Sequence, residues 1–154
     1  MKLYDAIRKG CEVTEKTNGR LFEDHNDSQI EFTEKTRPHI KYTCTLGAAA
    51  IISLDSMGVS GDLYDVFPVF NKQVPRELWP PLEEHVVSET FSVYTIVWRC
   101  NDGIFFKEHS REAIAEYLEW LEKEHGYDMS MVINDDEVEE DSVEENEEVL
   151  VYGS

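Results

Sequence analysis

The cysteine at position 44 is the residue whose type and setting best suit nucleophilic chemistry. Cys44 comes directly before an expected helix N-terminus, where the helix dipole lowers a thiol pKa and favours the reactive thiolate. The segment that follows is apolar nearly all round, so we expect this helix to be buried. A buried cysteine usually packs as a small hydrophobic residue, and we favour that role for Cys44.

A carboxylate near a glycine is the second candidate for chemistry. Asp102 lies in the sequence Asn101-Asp102-Gly103, where a loop could present it for acid–base catalysis. The same residue types favour a plain tight turn between two packed elements, which is the reading we prefer. An enzyme that uses Cys44 or Asp102 is therefore the function we favour least, and we predict no catalytic residue.

Metal-binding and cofactor-binding motifs are missing from the sequence. Its five histidines show no HxH or HxxxH spacing, and its three cysteines form no CxxC pair. Residues 58–62 contain two glycines but lack the Lys-Ser/Thr of a phosphate-binding loop, so we predict a turn there. The acidic C-terminal residues lack the glycine and ligand alternation of a calcium-binding loop. We predict no metal and no cofactor.

The charge of the chain is its strongest compositional feature. Its 154 residues include 14 basic and 33 acidic side chains, for a net charge of −19. All the basic residues precede residue 134, which leaves the body, residues 1–133, moderately acidic and the tail, residues 134–154, without any cation. Such a chain is repelled by nucleic acid and by anionic membrane surfaces, so we expect no direct binding to either.

The apolar segments and the cysteines indicate the compartment. The longest apolar run, residues 46–54, is far shorter than a membrane span, and the N-terminal residues lack the apolar stretch of a signal peptide. Three widely spaced cysteines fit reduced thiols better than a disulfide framework. We therefore expect a cytoplasmic protein.

The periodicity of the body predicts a mainly α, small single-domain protein with long irregular connections and, as an open alternative, a minor β element. A Ser110-capped helix that ends at Gly126 carries apolar residues at helical spacing. The remaining elements are less regular. We predict a helix over residues 2–9 ended by Gly10, a Thr43-capped helix ending near Gly58, a strand or hairpin at 29–34, short helical turns within 59–85, and either a strand or a buried helix over 86–100.

Three blocks of the sequence carry a family resemblance. They are Ala6-Ile7-Arg8-Lys9-Gly10, Cys44-Thr45-Leu46-Gly47-Ala48-Ala49, and Cys100-Asn101-Asp102 ahead of the helix that starts Ser110-Arg111-Glu112. This order resembles small uncharacterised bacteriophage and bacterial proteins. Their pattern has Ala, Leu and Trp where this chain has Thr45, Cys100 and Tyr117. The resemblance implies a mainly helical small domain of a kind often encoded by phages, favours helix over strand for 86–100, and names no catalytic residue.

The acidic tail with its apolar end is the feature most directly suited to binding a partner. Charge steers such a segment to a basic surface, and an apolar tip can then fill a pocket. Trp79, beside Leu78 and Pro80, is the aromatic residue we expect to reach a partner from the body. The partner-binding residues we predict are Asp135, Asp136, Glu137, Glu139, Glu140, Asp141, Glu144, Glu145, Glu147, Glu148, Leu150, Tyr152 and Trp79.

These features favour an acidic protein-interaction module over the other classes. We expect a phage-type inhibitor or adaptor, acting as a nucleic-acid mimic in anti-defence, that occupies the basic, nucleic-acid-binding site of a host protein or nucleic-acid-processing complex. The alternative is a structural, self-associating small protein with a passive solubility tail. Both hypotheses are compatible with a homo-oligomer. Residues 129–133 and 149–152 could also pair with each other as short strands.

Overall fold

The protein is mainly helical with minor β elements, as the sequence predicted. The computed structural model describes residues 1–18, 29–32, 40–53, 59–62 and 67–131, with residues 29–32 and 59–62 described through their backbone alone. The helices of this part are α1 (Leu3–Val13), α2 (Thr45–Ser53), α3 (Val93–Asp102) and α4 (Arg111–His125).

The strands of the described ranges are short and pair in twos. β1 (Glu15–Lys16) pairs in parallel with β3 (Tyr42–Thr43), while β2 (Gln29–Phe32) pairs antiparallel with β4 (Val59–Asp62), and β5 (Gln73–Pro75) pairs antiparallel with β6 (Thr90–Ser92). The turn predicted for residues 58–62 is therefore wrong for the last four of them, which form β4. Glycine contributes no side chain to a strand, which is why the sequence concealed this pairing.

Helix α4 confirms the prediction made from its capping residues. The Ser110 hydroxyl accepts a hydrogen bond from the backbone N–H of Ala113 at 3.0 Å, and Gly126 ends the helix with a φ of 75°. Both ends are fixed by residues adjacent in sequence, so local chemistry was sufficient to place them.

The ambiguous segment 86–100 contains both of the predicted structures. It includes β6, and α3 then starts where the Ser92 hydroxyl accepts a hydrogen bond from the Thr95 N–H at 3.1 Å. Asn101 and Asp102 belong to the last turn of α3, and Gly103, with a φ of 73°, is its C-cap. The tight turn predicted for these three residues is therefore the end of a helix.

Helices α1 and α2 cross at the point where each has its smallest side chains. Gly10 is buried within α1, which continues to Val13, so the prediction that Gly10 ends this helix is wrong. A Cβ atom at Gly10 would lie 2.2 Å from the carbonyl oxygen of Ala48. Glycine is therefore required here for a close approach between helices. Thr43 lies in β3 and α2 begins at Thr45, so the Thr43 cap was also misplaced; the end predicted near Gly58 lies outside the described residues.

The sequence blocks that carry the family resemblance meet in the core. Gly10 of the first block contacts Ala48 of the second, and Asn101 Oδ1 of the third accepts hydrogen bonds from both N and Oγ1 of Thr45, at 3.0 and 2.8 Å. Arg111 donates to the hydroxyl of Thr43, just before the second block, at 3.0 Å. These residues therefore join α1, α2, α3 and α4 through packing and buried hydrogen bonds.

The last described residues run beside the N-terminus. The Met129 carbonyl accepts a hydrogen bond from the Leu3 N–H at 2.7 Å, and the Met131 N–H donates to the Met1 carbonyl at 2.8 Å. Lys2 and Ser130 form an isolated antiparallel bridge. This contact leaves the C-terminal segment starting next to the first residue of the chain.

Glu122 secures this junction through a set of converging donors. Its carboxylate accepts hydrogen bonds from Lys2 at 2.6 Å, from the Tyr4 hydroxyl and from the Met129 N–H at 3.3 Å. Burial alone would raise the pKa of Glu122, but these hydrogen bonds outweigh it and lower the pKa below the usual 4.5. The carboxylate therefore stabilises the fold above its unfolded pKa, and this contribution is lost as the pH falls through the lower, folded pKa.

We expect Glu122→Gln to reduce stability at pH 7 and to weaken the acid dependence of unfolding below about pH 4.5. Urea unfolding of the variant and the parent across pH 3 to 7 measures this difference. Glu124→Gln removes the same charge from an exposed position of the same helix and serves as the control. Parallel pH profiles for the parent and Glu122→Gln would contradict the assignment.

Candidate interaction surface

The tail residues predicted to bind a partner lie outside the described residues. This holds for the ten acids from Asp135 to Glu148 and for Leu150 and Tyr152. Of the strand pairing predicted between 129–133 and 149–152, the structure describes only residues 129–131, whose backbone pairs with residues 1–3. The role of the tail residues therefore stays a prediction. The part of the predicted site that the structure describes is Trp79.

Trp79 lies in the core rather than at the surface. Its side chain is 8% exposed, and its indole Nε1 donates a hydrogen bond to the Val74 carbonyl at 2.8 Å. The ring stacks on Phe91 with centroids 4.3 Å apart and meets the edge of Phe106. The expectation that Trp79 reaches a partner does not fit this position, because Trp79 and the adjacent Pro80 are both buried.

The stacking continues from Trp79 through Phe91 to an arginine. We call Arg99 with Phe91, Trp98 and Phe105 the Arg99 collar. The guanidinium carbon lies 4.4 Å from the ring centroid of Phe105, 4.6 Å from that of Trp98 and 5.4 Å from that of Phe91. Each such cation–π contact contributes about 0.5 to 2 kcal/mol, depending on desolvation. All four side chains are half-buried, so the collar is part of the protein surface.

The Arg99 guanidinium is partly desolvated without a counter-charge among the described residues. Its Nε is buried and has no hydrogen-bond partner there, and burial lowers the pKa of Arg99 below its usual value. A desolvated charge is normally paired, because losing water costs free energy that an opposite charge offsets. The rings supply part of that compensation, and the hydrogen-bonding capacity of Nε stays unused within this part of the chain.

Arg76, at the other end of the same stack, differs from Arg99 because its guanidinium has hydrogen-bond acceptors within the described residues. Its guanidinium lies 5.5 Å from the Trp79 ring and donates to the carbonyls of Val86 and, at 3.0 Å, Ser88. Four cations of the described ranges are paired with carboxylates instead. These pairs are Lys2–Glu122, Arg8–Glu119, Lys16–Glu108 and Lys123–Glu119.

The backbone positions the collar through an unusual residue. Phe105 has a φ of 71°, a left-handed conformation that costs a bulky residue on the order of 1 to 3 kcal/mol. Its carbonyl accepts hydrogen bonds from the N–H groups of Glu83 and Glu84, at 2.7 and 3.3 Å. These bonds hold the conformation, and the ring is thereby placed against Arg99. Such strain occurs most often at functional sites.

A second surface with basic groups lies at the C-terminal end of α4. An open cavity there is lined by Lys72, Gln73, His125, Gly126, Tyr127 and Asp128. The Tyr127 hydroxyl donates to the Gln73 carbonyl at 3.3 Å. The carboxylate of Asp128 makes this cavity less suited to an anion than the Arg99 collar is.

The cysteines are poorly placed for nucleophilic chemistry. Burial raises the pKa of Cys44 to about 11, and the nearby negative charge of Asp102 raises it further, while hydrogen bonds from the N–H groups of Gly47 and Leu46 only partly oppose this. Burial likewise raises the pKa of Cys100 to about 12 and that of Cys11 to about 11. All three are protonated thiols at neutral pH, which supports a packing role for Cys44.

Asp102 and Asn101 take part in the hydrogen bonding of the core. The Asn101 amide donates to Asp102 Oδ1 at 2.9 Å and to the Thr17 carbonyl at 3.2 Å, while its oxygen accepts from Thr45. Within the described ranges, no three His, Cys, Asp or Glu side chains converge to hold a metal. No helix of those ranges has the length and apolarity to cross a membrane.

Comparisons with known proteins add no family to these observations. No protein-family model, no curated protein and no solved structure matched the chain. The resemblance of the three sequence blocks to small phage and bacterial proteins therefore stays a prediction.

Proposed function

We propose that this protein is an acidic interaction module that uses residues 134–152 to occupy a basic site on a partner protein. The observation that carries the proposal is the concentration of ten carboxylates between Asp135 and Glu148, in a chain of net charge −19. A basic surface that normally holds nucleic acid is the site such a segment complements best. The protein would then act as a phage-type inhibitor or adaptor, with anti-defence as one setting for that role.

The chemistry of the body supports binding over turnover. The thiols that could have acted as nucleophiles are held in the protonated form by burial. Asp102 lies close enough to Cys44 to raise the pKa of that thiol, which is the opposite of nucleophile activation. The residues that first suggested chemistry therefore serve the packing of α2 against α3.

Replacing the ten tail acids by their amides, Asp→Asn and Glu→Gln, should weaken capture of the partner about 100-fold or more, because steering and the ionic contacts are both lost. The measurement is affinity capture from host lysate with the full-length chain, followed by titration of the captured protein at low and at high salt. Duplex DNA added as a competitor should release the partner if its basic site holds nucleic acid.

A scrambled order of residues 134–148 is the matched control for this experiment. It keeps the charge and the composition, so capture should persist if electrostatics dominate. A second variant, Leu150→Ser with Tyr152→Ser, tests the apolar tip separately. Equal capture by the parent and by the neutralised chain would contradict the proposal. It would favour the alternative of self-association through exposed apolar side chains such as Val87 and Trp120, which sedimentation of the same variants measures.

A further inference from the structure

We infer that the Arg99 collar is a docking site for a carboxylate of the chain's own acidic segment, residues 134–148. The site is formed by a guanidinium held between rings from β6, α3 and the loop after α3. The occupant is the segment that follows the last described residue, Met131. The contact would place the acidic segment on the body when no partner is bound.

The geometry of the collar defines the chemistry of its ligand. The rings of Trp98 and Phe105 lie within 4.6 Å of the guanidinium carbon, and Nε is buried without an acceptor among the described residues, so a ligand from solvent would meet the terminal N–H groups. A planar guanidinium in this arrangement binds best to an oxyanion that accepts two parallel N–H donors, and a carboxylate has that form. The half-buried rings around it also suit an apolar group next to the carboxylate, as in the tip at residues 149–152.

The charge of the protein favours a ligand on the same chain over an independent anion as the occupant of the Arg99 collar. An independent acidic ligand meets a chain of net charge −19 and is repelled. A carboxylate on the same chain arrives at an effective concentration on the order of millimolar without a separate association step. The repulsion by the body persists, so the contact should be weak and sensitive to salt.

The length of the segment is sufficient for this contact. From Met131 to Glu148 an extended chain spans up to about 55 Å. A folded body of this size has a radius of gyration of about 14 Å. The carboxylates nearest Glu148 can therefore reach across the body, and the Arg99 collar lies within the span of the segment.

The consequence for function rests on the proposed function described above. If a basic partner binds the acidic segment, it must first displace the segment from Arg99. The collar then acts as an internal competitor that lowers the apparent affinity for every partner by the same factor, so that only strongly basic surfaces still bind at low concentration.

The test compares the NMR spectrum of the full-length chain with that of the chain whose ten tail acids are amides. We expect the largest shifts at the Nε–H of Arg99, the indole N–H of Trp98 and the amide of Phe105. At about 0.5 M salt, the parent chain should give the same spectrum as the neutralised chain, because salt screens the attraction between the tail and Arg99. Arg99→Gln should remove the dependence on the tail, whereas Lys9→Gln, which removes one charge from an exposed position of α1, should preserve it.

Several outcomes would overturn the inference. Spectra that do not differ at the collar would show that the tail does not dock there, and shifts centred on Lys72 and His125 would place the contact at the other surface. Shifts that disappear on tenfold dilution would indicate docking between two copies instead of within one chain.

Capture of the partner distinguishes this inference from the proposed function. With both correct, Arg99→Gln should raise partner affinity about fivefold, because the internal competitor is gone. Unchanged spectra with tail-dependent capture would reject the inference alone, and collar shifts without tail-dependent capture would reject the proposed function alone.

Discussion

Gly10→Ala is expected to lower the free energy of unfolding by about 3 kcal/mol, the effect of adding a methyl group to a fully packed contact. The new Cβ would lie 2.2 Å from the carbonyl oxygen and 2.7 Å from the Cβ of Ala48. Both atoms belong to Ala48 on the buried face of α2, where neither can turn aside as a flexible side chain could, so the two helices must move apart. This loss of stability is opposite to the usual effect of the substitution, because glycine to alanine inside a helix normally raises the free energy of unfolding by about 1 kcal/mol.

Gly126→Ala is the control that separates packing from backbone conformation. Gly126 has a φ of 75° and no atom within 4 Å of an added Cβ, so this variant meets only the left-handed backbone penalty of about 1 to 2 kcal/mol. Urea unfolding of both variants at pH 7 measures the difference. A Gly10→Ala variant as stable as the parent would show that α1 and α2 are less closely packed than described.

Gly10 also shows which features of this fold could be predicted from sequence. Capping is local, so Ser110 and Gly126 placed the ends of α4 correctly. The same local rule misread Gly10 as a helix end, because the demand for a glycine came from Ala48 on another helix. The β-branched and aromatic residues of 86–100 favoured a strand and the length of the segment favoured a helix, and the structure has both in succession.

The candidate interaction surface was largely hidden from sequence reasoning. Trp79 stood beside prolines and so suggested an exposed loop, yet its ring is packed against Phe91. Arg99 was overlooked because its collar is assembled from positions 91, 98 and 105, on three different elements. One available signal was an arginine within an aromatic segment of a strongly acidic chain, where a cation usually has a nearby carboxylate.

Arg111→Met is expected to lower the free energy of unfolding by about 3 kcal/mol, because it leaves buried acceptors without a donor. Arg111 is 5% exposed, and its guanidinium donates to the hydroxyls of Thr14 and Thr43, at 2.9 and 3.0 Å, and to the Thr14 carbonyl at 2.7 Å. These acceptors are neutral. The charge lies at the first turn of α4, where the helix dipole opposes it, but it faces the C-terminal end of α1, where the dipole is favourable.

Two further variants identify what the guanidinium contributes. Arg111→Lys keeps the charge but cannot reach three acceptors in a fixed plane, so we expect it to recover less than half of the lost stability. Thr43→Val removes one acceptor and should cost about 1 kcal/mol by itself. The double variant Arg111→Met with Thr43→Val should lose about 1 kcal/mol less stability than the two single variants lose together, because both changes remove the same hydrogen bond. Additive losses in urea unfolding would show that the hydrogen bond between Arg111 and Thr43 contributes nothing to stability.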